Sequence, residues 1–219
     1  MFTYYRHEIT VPAGQLKLKG ELTIPRHAKT IIIFCHATGN SRDSLRCRVV
    51  ARQLQQQGFG TLLPDLLTSE EINNSGRRFD LDLLTARLMT VTEWLMDRDM
   101  VGRYHLGYFA TGTGAASALQ AAAYLPEAIA AVVCSGGRPD LVRKELGRVE
   151  SSVLFLVGSQ DGYVLQLNRE ALENLICERQ LTVIEGASHL FGNDRMDEVA
   201  GMACSWFKTH LQSLTVMDH

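Results

Sequence analysis

Four stretches of this chain are apolar almost without interruption: TIIIFC at Thr30–Cys35, then runs at 104–109, 130–134 and 152–157. A strand with one solvated face alternates apolar and polar residues, whereas a strand covered on both faces does not. These runs therefore predict buried strands. Helical patterns separate them. Residues 44–57 carry Leu45, Val49, Val50 and Leu54 on one side and end at Gly58. Asp80 can cap a helix running to about Arg98, with Leu83, Leu84, Leu88, Val91 and Leu95 as its apolar stripe. Residues 115–124 are Ala-rich and stop before Pro126, and further helices are expected over about 164–178 and 194–211. Short strands are expected at 60–63 and 181–184. Strand and helix in alternation imply a parallel sheet with helices on both faces. Ahead of it, runs at 5–11 and 16–24 flank Pro12-Ala13-Gly14; Leu16, Leu18 and Gly20 alternate with Lys17, Lys19 and Glu21. That pattern predicts an antiparallel hairpin. Residues 66–78 are polar and irregular and read as one long loop.

The 219 residues suit a single α/β domain spanning 1–219. A hydrophobic share of 46% and a charged share of 21% are ordinary for a globular chain, and a formal net charge of −2 points to neither a nucleic-acid nor a membrane partner. MFTYYRHEITV has no long apolar run, so a signal peptide is not expected. Cys35, Cys47, Cys134, Cys177 and Cys204 are odd in number and scattered, with no C-x-x-C. Neither a disulfide framework nor a zinc site is expected, and the thiols predict a cytoplasmic protein. No metal and no cofactor is called for.

Ligands in parallel sheets bind at the carboxyl ends of the strands. The most informative of those ends is YHLGYFATGTGAASALQAAAY, residues 104–124. It reads as a strand, a tight turn and a helix, with small residues crowded into Ala110-Thr111-Gly112-Thr113-Gly114. That is the setting of a nucleophile elbow, G-x-S-x-G, in which a strained turn lifts one side chain above the sheet. Here Gly112 holds the central position. A dinucleotide fingerprint starting at Gly112-Thr113-Gly114 fails because Ser117 stands at its last glycine. A phosphate loop from Gly107 to Gly112 fails because Thr113 stands where lysine is needed.

The chain resembles the α/β-hydrolase superfamily, and within it the dienelactone-hydrolase-like group, from about Leu16 to Leu211. TIIIFCHATGNSR is similar to the strand and oxyanion loop of these enzymes, and LGYFATGTGAA to their elbow. VVCSGGRPDL, LFLVGSQD and IEGASHLF are similar to the segments after the next three strands. The order nucleophile, acid, histidine then falls on positions 112, 161 and 189. The resemblance implies that Asp161 orients an imidazole and that His189 is the general base. It implies oxyanion donors at Thr113 and at Ala37 or Thr38, with His36 shaping that loop beside the substrate. Arg138, after a strand end, is a candidate for gripping a substrate carboxylate, whereas Arg77 and Arg78 are expected to be solvated. Gly112 is the departure, since glycine offers no nucleophile. Three functions stay open: a binder of a small carboxylate or ester that has lost hydrolysis, a hydrolase or lyase that uses the His189–Asp161 dyad as a general base, with an activated water and no covalent intermediate, or a hydrolase with a displaced nucleophile at Thr111, Thr113, Cys35 or Cys134. The expected state is a monomer or homodimer.

Overall fold

The computed structural model describes residues 4–36, 42, 44–97, 104–188, 191–192 and 195–212. Among them the strands are β1 (Tyr4–Ala13), β2 (Leu16–Pro25), β3 (Thr30–Cys35), β4 (Gly60–Pro64), β5 (His105–Thr111), β6 (Ile129–Ser135), β7 (Ser152–Gly158) and β8 (Arg179–Ile184). The α-helices are α1 (Leu45–Gln56), α2 (Ser69–Ile72), α3 (Ser75–Arg78), α4 (Leu81–Met96), α5 (Gly114–Tyr124), α6 (Gly162–Asn174) and α7 (Met196–Phe207). One sheet takes all the strands in the order β1-β2-β4-β3-β5-β6-β7-β8. β1 and β2 form the expected antiparallel hairpin, β2 meets β4 antiparallel, and every pairing from β4 to β8 is parallel.

The continuous apolar runs are the central strands. Every residue of β3 is buried, and so are the middle five residues of β5. Side chains alternate between faces, as a strand requires. Ile31, Ile33 and Cys35 join a core with α4, α5 and α6; Ile32 and Phe34 join the opposite core with α1 and α7. α5 is buried from Gly114 to Ala123, and its alanines let it lie close to the sheet. Caps fix where helices begin. Ser44 accepts from the Cys47 N–H, and Asp80 accepts from the Leu83 N–H as its position predicts.

Residues 66–78 differ from the long loop expected of them. They hold two one-turn helices. Thr68 and Glu71 cap α2 reciprocally, and Arg87 of α4 grips both Glu71 carboxylate oxygens, at 2.6 and 2.8 Å. Arg87 Nη1 also donates to the Leu66 carbonyl at 2.7 Å. A partner sixteen residues away organises this segment, so local polarity alone could not reveal it.

Candidate active site at the strand ends

The strand order sets a topological switch point. β3 pairs with β4 on one side and β5 on the other, so the chain changes direction across the sheet at β3. Beyond the carboxyl ends of such a pair, ligands bind. β3 ends at Cys35 and His36 follows. β5 ends at Thr111 and Gly112 follows.

Gly112 has φ 55°, a left-handed conformation in a tight turn between β5 and α5. Its carbonyl accepts from the Arg138 N–H at 3.1 Å and from the Ala115 N–H at 3.2 Å. Gly114 meets a different demand. A Cβ there would lie 2.5 Å from the Cys35 carbonyl oxygen and 3.0 Å from the His36 carbonyl carbon. The turn after β5 is thus pressed against the chain leaving β3. Thr113, between the two glycines, has helical φ of −67° and starts α5. Thr111 carries a buried hydroxyl with no hydrogen-bond partner among the described residues.

Asp161 stands at the head of α6, where its Oδ1 accepts from the Val164 N–H at 3.2 Å. The loop that carries it is laced to the segment after β8. Ser159 N–H donates to the Ile184 carbonyl at 3.0 Å, Gln160 N–H to the Ala187 carbonyl at 3.0 Å, and Gly186 N–H to the Ser159 hydroxyl at 2.9 Å. A Cβ on Gly158 would collide with the carbonyl oxygens of Ala187 and Ser188. The acid-bearing loop therefore packs against the chain leading to position 189. His189 itself, with Ala37 and Thr38, lies outside the described residues, and so does any distance between Asp161 and His189.

His36 is half-buried. Burial first, and then the charges of Arg46 and Arg78, hold its pKa below the usual 6.5, so the imidazole stays neutral at neutral pH. Arg138 meets Asp140 at two points, Nε to Oδ1 and Nη2 to Oδ2, each 2.8 Å, and its guanidinium lies 5.8 Å from the Tyr163 ring centre. A substrate carboxylate would compete with Asp140 for that fork. Arg78 is less solvated than expected: its Nε is buried without a hydrogen-bond partner among the described residues, and its guanidinium lies over the Phe79 ring.

Asn168 escaped the sequence reading. It is fully buried in α6, and its amide donates to the Gly137 carbonyl at 3.0 Å and the Val164 carbonyl at 2.8 Å. Val164 is the residue whose N–H Asp161 caps, and Gly137 precedes the residue that holds Gly112. The signal was available, because Asn168 is a polar residue in the buried stripe Val164, Asn168, Ala171. Among the described residues no group of three or more His, Cys, Asp or Glu is placed to hold a metal, and no helix is long and apolar enough to cross a membrane.

The same fold occurs in known proteins. A dienelactone hydrolase structure from Anabaena variabilis ATCC 29413 is 43% identical, with a TM-score of 0.91 over 95% of this chain and 99% of that one. The Est1E structure from Butyrivibrio proteoclasticus is 14% identical and shares the fold, with a TM-score of 0.78 over 91% of this chain and 97% of that one. Two Mycobacterium tuberculosis proteins that carry a phosphoribosyl transferase name, from strains CDC 1551 and H37Rv, are 44% identical over 205 residues, covering 93% of this chain and 46% of theirs. The chain thus spans about half the length of those curated relatives. The family model for the dienelactone hydrolase family matches residues 18–214. With its sheet order, its glycine turn after β5 and a match running through nearly all its length, the chain belongs to the dienelactone hydrolase family.

Proposed function

We propose that this chain binds a small ester or carboxylate and is impaired in hydrolysing it, because the residue at the nucleophile position of the elbow is Gly112. The observation behind this is the backbone of Gly112, with φ 55° at the junction of β5 and α5. A turn of that kind lifts one side chain above a sheet, and glycine has none to lift. A base and oxyanion donors without a positioned nucleophile leave no covalent route. In this scheme Asp161 orients His189 and the N–H of Thr113 serves with one from Ala37 or Thr38. Arg138 and His36 border the ligand. The five cysteines are free and four are buried, in keeping with a reducing compartment. The transferase name belongs to proteins of which this chain spans 46%, so the lineage drawn on is that of the Anabaena dienelactone hydrolase.

One observation favours a second reading. The lacing of the Asp161 loop to the segment before position 189 suits a His189–Asp161 pair that activates a water without a covalent intermediate. The cysteines lend no support to a displaced nucleophile. Cys35 and Cys134 are buried, and burial pushes both thiols far up, away from the reactive thiolate.

The test is hydrolysis of p-nitrophenyl esters, with a serine-directed phosphonate to trap any covalent adduct. The unmodified protein is expected to turn over little and form no adduct. Gly112→Ser is expected to raise turnover by about two orders of magnitude or more, and His189→Ala in that background to remove the gain. Turnover in the unmodified protein that disappears on His189→Ala would favour the water mechanism. Robust turnover lost on mutating Thr113 or Cys35, but not His189, would defeat both.

A further inference from the structure

The segment that follows β3 concentrates positive charge in a chain whose formal net charge is −2. Residues 42–56 carry Arg42, Arg46, Arg48 and Arg52 against Asp43 as the one acid. Arg48 and Arg52 are one turn apart on α1 and share a face. Strand β1 brings Arg6 opposite them, in register with Thr23 of β2. Between helix and strands lies a hollow of about 190 Å³, lined among the described residues by Arg6, Glu21, Thr23, Arg48, Arg52 and Gln55, with Ala51 and Leu63 beside them.

Three arginines and a single carboxylate line this hollow. Glu21 receives Arg6 at 2.7 Å. Arg48 uses its Nε on the Arg42 carbonyl at 2.6 Å and makes no ion pair among the described residues. Arg52 makes no hydrogen bond or ion pair among the described residues. The hollow is thus a concave polar site with about two positive charges more than it neutralises. Like charges are not gathered beside one another without cost, and a dianion removes that cost. Planar guanidinium forks match phosphate oxygens in two-point contacts, better than any single ammonium would. The site lies over β1, β2 and β4, and β3 stands between it and β5, so it is separate from the elbow.

We propose that this hollow is a binding site for the phosphoryl group of a small phosphorylated ligand. Two features set its selectivity. A carboxylate monoanion satisfies half of the excess charge. A phosphate dianion satisfies it fully and offers enough oxygens for Arg48, Arg52 and Arg6 together. Glu21 is the opposing element, holding Arg6 in place while lowering affinity for any anion.

The experiment is titration calorimetry on the purified chain at constant ionic strength. The probes are inorganic phosphate, diphosphate, glycerol 3-phosphate and, as a monoanion, acetate. The phosphate-bearing probes are expected to bind at least tenfold tighter than acetate. Arg52→Gln should weaken them at least fivefold while leaving the unliganded melting temperature unchanged, since that side chain holds nothing together. Glu21→Gln should tighten them severalfold, an effect that mere loss of structure would not give. Arg78→Gln, on the elbow side, should leave them unaltered. Glycerol 3-phosphate outbinding inorganic phosphate assigns the site to organic phosphate esters, and the reverse order assigns it to free phosphate or diphosphate. Equal affinity for acetate and phosphate overturns the proposal, and so does loss of binding in Arg78→Gln but not in Arg52→Gln.

Discussion

Gly112 and Gly114 sit two residues apart, and their tolerance of a side chain should differ sharply. At Gly112 the constraint is the backbone, with φ 55°, where an alanine costs about 1–2 kcal/mol. At Gly114 the constraint is the Cys35 carbonyl oxygen, 2.5 Å from where a Cβ would be. Neither β3 nor the start of α5 can yield without disturbing both cores. Gly114→Ala should therefore cost about 3 kcal/mol or more, the upper range of overpacking, and Gly112→Ser only about 1–2. Urea denaturation of both variants tests this, and equal losses would mean that the two backbones are less closely packed than described. His36 offers a pH test. Its folded pKa lies below the 6.5 of the unfolded chain, mainly through burial and then through Arg46 and Arg78. Between those values the unfolded state binds a proton that the folded state refuses, so stability falls as pH drops below about 6.5. His36→Gln should flatten that slope between about pH 7 and pH 5. An unchanged slope in the variant would assign the pH dependence to other groups.

Helix α6 connects two parts of the candidate site that sequence order keeps apart. Asp161 holds the Val164 N–H, Asn168 holds the Val164 and Gly137 carbonyls, and the Arg138 N–H holds Gly112. Asn168→Ala leaves two buried carbonyls without that donor and should cost about 2–3 kcal/mol. It should also raise the hydrogen-exchange rate of the Arg138 amide more than that of β6 amides. Uniform acceleration across β6 would show that Asn168 supports the core in general and not this loop in particular. The segment 66–78 behaves in the same non-local way. Its position depends on Arg87, whose hydrogen bonds hold the Glu71 carboxyl at about 2, against 4.5 ordinarily. A depressed carboxylate contributes stability above about pH 4.5 and loses it as pH falls toward 2. Glu71→Gln should remove that contribution, seen as a lower melting temperature near neutral pH and no difference from the parent near pH 2. Such pairings explain what the sequence hid. Arg87 and Glu71 are sixteen residues apart, and Asn168 and Gly137 thirty-one. Arg138 and Asp140, two apart with proline between them, were open to local reading as an internal pair.

Across the whole molecule, the parts that were legible are those whose burial is complete. β3, β5, β6 and β7 announce themselves because no solvated face interrupts their apolar runs, and they lie side by side in the sheet as expected. The hairpin was legible for the opposite reason, through its alternation. What the sequence left open is the order in which strands neighbour one another, since β4 crosses to the far side of β3 and only the elbow motif argues for that topology. The same gradient of burial predicts how the molecule opens. Strands β3 and β5 are enclosed on both faces and both edges, whereas β1 is the outermost strand and β2 exposes residues along much of its length. Val11 and Leu18 tie the hairpin to the core, but few of its other side chains are buried. Amides of β3 and β5 should therefore exchange only through global unfolding, and those of the β1–β2 hairpin through a smaller opening that detaches it first. Native-state hydrogen exchange in increasing denaturant separates the two. Hairpin amides should exchange faster and with a shallow denaturant dependence, while β3 and β5 amides follow the full unfolding slope. The distinction rests on the antiparallel β2–β4 pairing, four residues on each strand from Gly20–Pro64 to Thr23–Thr61, as the seam that opens. If hairpin and central amides share one slope and one free energy, the hairpin belongs to the cooperative core, and the seam between β2 and β4 is as strong as the parallel pairings beyond it.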